Sequence, residues 1–171
     1  LSGIGRLKID LDGTTQEVYE KYRIGGKLET VLKNTRRVLE IKKENNLKYP
    51  IIQARMIATK KNEHQISDFQ KLSKELGAEL IELHTGHYAN KFNSIDEFDA
   101  LSDLSVASNY ANELGLLVNA GHGLNSENLA QICEILHIQE LNIGHSIISQ
   151  AVFTGLKDAI EKIISIINNC D

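Results

Sequence analysis

The sequence predicts an α/β protein built from five βα units around a parallel sheet. Five short apolar runs alternate with longer stretches whose apolar residues recur every three or four positions, so strands alternate with amphipathic helices. Capping signals and glycines fall where one pattern gives way to the other. The 171 residues contain no low-complexity segment or long linker and suit a single domain, 1–171, with a sizeable core. Such an order implies right-handed crossovers and a ligand site at the carboxyl ends of the strands, in either an open doubly wound sheet or part of a (β/α)₈ barrel.

The first strand is Arg6 to Leu11, which alternates in polarity and is ended by Asp12-Gly13. Thr14 is expected to cap a helix with Glu17 completing a capping box, and Arg23-Ile24-Gly25-Gly26 breaks it. Leu28, Val31, Leu32, Thr35, Val38 and Leu39 then mark a longer helix to about Asn46. Tyr49 to Ile57 is the second strand, and Asn62 or Glu63 opens a helix with Ile66, Phe69, Leu72 and Leu76 on one face, ended by Gly77. Leu80 to Thr85 is the third strand and Gly86 to Asn93 a loop. Ser94 and Glu97 then cap a helix to Leu114, closed by Gly115. The fourth unit is Leu116 to Ala120 with a helix from Ser126 to Leu136, in which Leu129, Ile132, Cys133 and Leu136 face inward. The fifth is Glu140 to Ile143 with a helix from about Ser146 to Asn168, carrying Ile148, Val152, Leu156, Ala159, Ile160, Ile163 and Ile167 on its apolar face.

Composition excludes several classes. Apolar residues make up 42% and charged residues 25%, average for a folded globular chain. No apolar run approaches the roughly 18 to 20 residues a bilayer span needs, so no membrane partner is expected. Cys133 and Cys170 are far apart and one lies on a helix's apolar face; with no visible signal peptide, this predicts a reduced, cytoplasmic protein. The net charge of -4 is uneven: residues 1–79 hold 16 basic and 11 acidic side chains, residues 80–171 hold 3 and 12. The lysines are scattered over helix surfaces without interleaved aromatics, so no nucleic acid is expected, and the shift marks a boundary near residue 79.

Chemistry concentrates at two corners, Val118-Asn119-Ala120-Gly121-His122-Gly123-Leu124 and Leu141-Asn142-Ile143-Gly144-His145-Ser146-Ile147. In each, a strand turns straight into a helix through a Gly/His pair, where backbone N–H groups can receive an anion. Glu82 and His84 are two apart on the third strand and share a face toward the same strand ends. A carboxylate and imidazoles over a phosphate cup suit acid–base work on a phosphorylated small molecule. Glu82 also fits a structural ion pair within the sheet, and His84 a satisfied core histidine. His122, between two glycines at a strand end, projects into the mouth, while His64, His87 and His137 read as solvated. No pair of ligating side chains has metal spacing on one element, so no metal is expected. Asp10 and Asp12 at the first strand's end can meet a ribose or a metal, although capping explains Asp12 as well. Gln53 and Arg55 share a face that can read a carboxylate, or Arg55 can simply pair with an acid.

From about residue 78 the chain resembles pyridoxine 5′-phosphate synthase, through Ile81-Glu-Leu-His-Thr-Gly-His-Tyr-Ala-Asn90, Val118-Asn-Ala-Gly-His-Gly-Leu124, Glu140-Leu-Asn-Ile-Gly-His-Ser-Ile-Ile148 and Ala151-Val-Phe-Thr-Gly-Leu156. The resemblance implies a (β/α)₈ barrel that closes a pyridine ring from two phosphorylated substrates without a metal or redox cofactor. It implies that Glu82 and His122 shuttle protons and that Gly123, Gly144 and His145 bind the phosphate. Residues 1–77 resemble the middle of a radical S-adenosylmethionine enzyme, through Leu7-Lys-Ile-Asp-Leu-Asp-Gly-Thr-Thr-Gln-Glu-Val-Tyr-Glu-Lys-Tyr-Arg-Ile-Gly-Gly26 and Asn62-Glu-His. That likeness implies an S-adenosylmethionine contact through Asp10, Asp12 and Arg55, although Asp10 replaces the family's serine and the three-cysteine cluster motif is absent. The synthase's early strands have no counterpart before residue 78, and the two likenesses meet at Lys74-Glu-Leu-Gly-Ala78, as in a chimera of two barrel pieces.

The expectation is therefore a partial TIM-type barrel of five units, 1–77 and 78–171 having different likenesses. It binds pyridoxine 5′-phosphate or a precursor at its two corners, is not fully active alone, and has two open sheet edges that a homo-oligomer would cover. The alternatives are a radical-enzyme fragment without its cluster and a recombined barrel without activity.

Overall fold

The computed structural model describes residues 3–57 and 61–170. It contains five parallel strands alternating with helices, the α/β class expected from the sequence. The chain divides into two compact units, one of Leu1–Glu82 and Tyr110–Leu117, the other of Leu83–Asn109 and Val118–Asp171.

In the first unit β1 (Arg6–Asp10) lies parallel to β2 (Ile51–Arg55), with Lys8 opposite Gln53 and Asp10 opposite Arg55. β2 pairs in turn with β3 (Leu80–His84), placing Arg55 opposite Glu82. Three strands adjacent in chain order and all parallel need every crossover on one face, which is the winding of a (β/α) barrel; a doubly wound sheet reverses its order. The crossovers are α1 (Gln16–Tyr22) and α2 (Leu28–Glu44), then a 3₁₀ turn (Glu63–Gln65) running into α3 (Ile66–Glu75). Leu11, Ile52 and Ile81 are wholly buried, with Phe69, Leu76 and Leu80 nearly so. The cap of α1 is Thr15, one residue later than expected: its hydroxyl accepts the Val18 N–H. Thr14 instead donates its backbone N–H to Gln65 Oε1, which ties the start of α1 to the 3₁₀ turn.

The second unit holds the end of β3, α4 (Gly86–Lys91), the pair β4 (Leu117–Gly121) and β5 (Ile138–Asn142), and α6 to α8; α5 (Glu97–Glu113) runs through both units. Val118, Ala120, Leu129 and Ile132 are wholly buried. Three expectations need correction. Residues 86–91 form a helix where a loop was expected, with Tyr88 buried beneath it. The helix expected from Ser126 to Leu136 shrinks to α6 (Leu129–Cys133), because Asn125 and Asn128 bond into a polar turn ahead of it; Leu136 is 68% exposed, not inward. The expected final helix is two, α7 (His145–Thr154) and α8 (Leu156–Asn168), broken at Gly155 with φ +87°. Ala159 and Ile163 of α8 are buried, whereas Ile148, Val152, Leu156 and Ile160 are exposed. Periodicity shows which residues share a face and not whether anything covers that face. No helix among the described residues is long and apolar enough to cross a membrane.

Candidate functional site

The β4–α6 corner carries the most constrained backbone of the second unit. His122 has φ +90° and Gly123 φ +75°, so two consecutive residues are left-handed. For histidine this conformation costs roughly 1 to 3 kcal/mol and persists only when neighbours enforce it. Thr85, wholly buried just past β3, donates its N–H to Gly121 O at 2.8 Å and its hydroxyl to His122 O at 2.6 Å. From the other side Asn128 Nδ2 donates to Gly123 O at 3.2 Å, and Asn128 Oδ1 accepts the Asn125 N–H at 2.9 Å.

The His122 ring stacks on His84, their centroids 4.3 Å apart and planes 25° from parallel. The Gly86 N–H donates to His84 Nδ1 at 3.3 Å. Gly86 permits this stack: a Cβ there would lie 2.5 Å from His84 Cε1 and 2.9 Å from His122 Cδ2. His84 thus belongs to the corner, not to the apolar core. Behind it, Tyr88 donates its hydroxyl to Asn128 O at 2.8 Å and lies 2.5 Å from Gln131 Oε1. Burial, with help from the Glu97 charge, pushes the Tyr88 phenol from its ordinary 10.0 up to about 12. Because the folded value is the higher one, Tyr88 contributes stability fully below pH 10 that is lost as pH rises toward 12. An ultraviolet phenolate titration should show one group near 12, absent in Tyr88→Phe; an unchanged titration in that variant would contradict this.

The β5–α7 corner is more open. Gly144 is the N-cap of the ten-residue α7, adopts φ -134°, and has no side-chain cap bond. A Cβ on Gly144 would meet nothing within 4 Å, and His145 is exposed beside it. The first turn of α7 thus has no side-chain cap, and an uncapped helix amino terminus suits an anion. A cavity of about 390 Å³ is lined by His145 together with Ser126, Ser149, Lys162 and Ile163.

Glu82 lies in the first unit, mostly buried. Gln53 Nε2 donates to its Oε2 at 3.1 Å, Lys8 Nζ is 3.8 Å away, and Arg55 Nη1 is 3.9 Å from Oε1. Asp10, Asp12 and Arg55, expected at an S-adenosylmethionine contact, join one ion-pair chain. Arg55 Nε donates to Asp10 at 2.7 Å, and Arg23 reaches Asp10 at 3.4 Å and Asp12 at 2.6 Å. The hydrogen bond to Asp10 is the main reason the Arg55 guanidinium is held above its ordinary pKa; nearby carboxylates add to this and burial opposes it. Asp12 does not cap α1 but accepts the Ile57 N–H at 3.1 Å. Thr85, Tyr88 and Asn128 were not singled out from the sequence. Their only signal there is position, a threonine right after a strand and an Asn-x-x-Asn spacing ahead of a helix.

These features can be compared with known proteins. The profile of the family described as "Pyridoxal phosphate biosynthesis protein PdxJ" matches residues 51–169. Pyridoxine 5′-phosphate synthases are among the relatives: that of a Sulfurihydrogenibium species is 48% identical over 104 residues, covering 60% of this chain and 42% of the relative. That of Neisseria meningitidis is 44% identical over 90 residues, 53% of this chain and 37% of the relative, and that of Prochlorococcus marinus 45% over 97 residues, 57% and 40%. The chain thus spans about two fifths of the length of the curated relatives it matches. The family match begins at the first residue of β2, so β2 and α3 lie inside it, upstream of residue 78 where the likeness was read to begin. The comparisons do not show the likeness of residues 1–77 to a radical S-adenosylmethionine enzyme. Matched over about seven tenths of its length, from β2 to the end of α8, the chain belongs to the PdxJ family of pyridoxal phosphate biosynthesis proteins.

Proposed function

We propose that the chain binds the phosphate of pyridoxine 5′-phosphate, or of a precursor, at the β4–α6 and β5–α7 corners. The observation that carries this reading is the uncapped amino terminus of α7, with open space over Gly144, in a chain whose relatives are pyridoxine 5′-phosphate synthases. Gly123, Gly144 and His145 supply the phosphate contacts, the backbone N–H groups of α7 giving hydrogen bonds and a favourable dipole. Glu82, oriented by the Gln53 amide, and His122, oriented by its stack on His84, exchange protons with the substrate. Taken alone the chain retains phosphate affinity and lacks full turnover, because it covers two fifths of its relatives' length.

A thermal-shift titration tests this with pyridoxine 5′-phosphate, inorganic phosphate and, as a carboxylate without phosphate, S-adenosylmethionine. At ten times its dissociation constant a phosphate ligand should stabilise the fold by about 1.4 kcal/mol. Gly144→Asp should abolish the shift, since an aspartate cap occupies the same N–H groups and repels the anion. No shift of the wild type with either phosphate compound would sink the reading.

A further inference from the structure

The two carbonyls that follow His122 and Gly123 are both spoken for by side chains. Thr85 donates its hydroxyl to His122 O and Asn128 donates Nδ2 to Gly123 O. In a planar trans peptide the C=O and the next N–H point in opposite directions. Each of these bonds therefore turns an N–H away from its holder, that of Gly123 in the first case and that of Leu124 in the second. Among the described residues neither N–H has an acceptor; Gly123 is exposed, but Leu124 is buried, and a buried amide normally finds one. Adjacent amides held without an internal partner are what a bound oxyanion needs, because no rearrangement is required when it arrives.

The holders are themselves fixed. Thr85 is wholly buried and also donates its N–H to Gly121 O, so it grips the chain on both sides of His122. Asn128 is 2% exposed, and Tyr88 of α4 bonds its carbonyl while its Oδ1 takes the Asn125 N–H. We infer that Thr85 and Asn128 are positioning residues, which keep His122–Gly123 left-handed so that the Gly123 and Leu124 amides donate to the bound phosphate. The inference rests on the phosphate reading above and adds two residues and one amide to it.

Amide-resolved NMR titration of the full chain with inorganic phosphate tests it. Wild type should show shifts at Gly123 and Leu124 together with those at Gly144 and His145. Thr85→Ser keeps the hydroxyl and should bind within about twofold of wild type. Thr85→Val keeps the shape without the hydroxyl, and should bind at least tenfold more weakly, about 1.4 kcal/mol. Asn128→Asp keeps the acceptor for Asn125 and loses the donor to Gly123, so it should weaken binding similarly and serves if Thr85→Val does not fold. Thermal melts without phosphate separate loss of fold from loss of affinity. Equal affinity of the folded valine or aspartate variant and wild type overturns the inference. Shifts at Gly144 and His145 without any at Gly123 and Leu124 overturn it while leaving the phosphate reading intact. No shift at either corner overturns both.

Discussion

Gly121→Val is expected to destabilise the chain by about 3 to 4 kcal/mol, the largest effect among the substitutions considered. Gly121 ends β4 directly opposite Asn142 of β5. A Cβ there would lie 2.7 Å from Asn142 O and 2.9 Å from Asn142 Cβ, and the nearest obstacle is backbone that cannot swing aside. The strands must separate at the end that carries both corners, and two γ-carbons make the conflict worse. Denaturant unfolding monitored by circular dichroism checks this, since the midpoint should fall sharply while the slope stays near wild type. A loss below about 1 kcal/mol would show that the ladder yields there, against the overpacking argument.

Asp12→Ala should cost about 3 kcal/mol through a different mechanism. The Asp12 carboxylate is almost fully buried, pairs with Arg23 at 2.6 Å, and accepts the Ile57 N–H at 3.1 Å. Alanine leaves the Ile57 N–H without its acceptor and a cation without its nearly buried partner. Asp12→Asn keeps an oxygen for Ile57 and removes only the charge. The Arg23 side chain is 39% exposed, so water offsets part of that loss and asparagine should cost about 1 kcal/mol. Equal destabilisation by the two variants would assign the whole effect to the ion pair and none to the Ile57 bond.

The strand order was legible because each strand is a short apolar run bounded by a break, and all five appear within a residue or two of where polarity alternation puts them. Helix ends were less so. Gly86-His87-Tyr88-Ala89-Asn90 reads as a loop from its glycine and asparagine, yet Tyr88 is drawn into the interior by the Asn128 carbonyl, a contact forty residues away. The turn ahead of α6 depends on Asn125 and Asn128 bonding each other's backbone, which local propensity does not distinguish from a helical start. At the candidate site, Gly123, Gly144, His145, His122 and Glu82 carry their own signals, glycines before helices and a carboxylate inside a strand. Thr85 carries only its position after a strand, because its bonds go to carbonyls at and just past the end of β4. Glu82 has the surroundings of the ion-pair reading: it faces Lys8 and Arg55 within the sheet and accepts a bond from Gln53.

The glycines of the two corners differ in a way that bears on mutational tolerance. Positions 86, 121 and 123 have neighbours within 3.0 Å of where a side chain would begin, so selection for a folded chain alone would return glycine at all three. At position 144 a side chain would begin with nothing within 4 Å of it, and φ is negative there, outside the left-handed region. In a library of random substitutions scored once for solubility and once for binding of inorganic phosphate, intolerance at 144 seen only in the second score would report on the ligand and not on the fold.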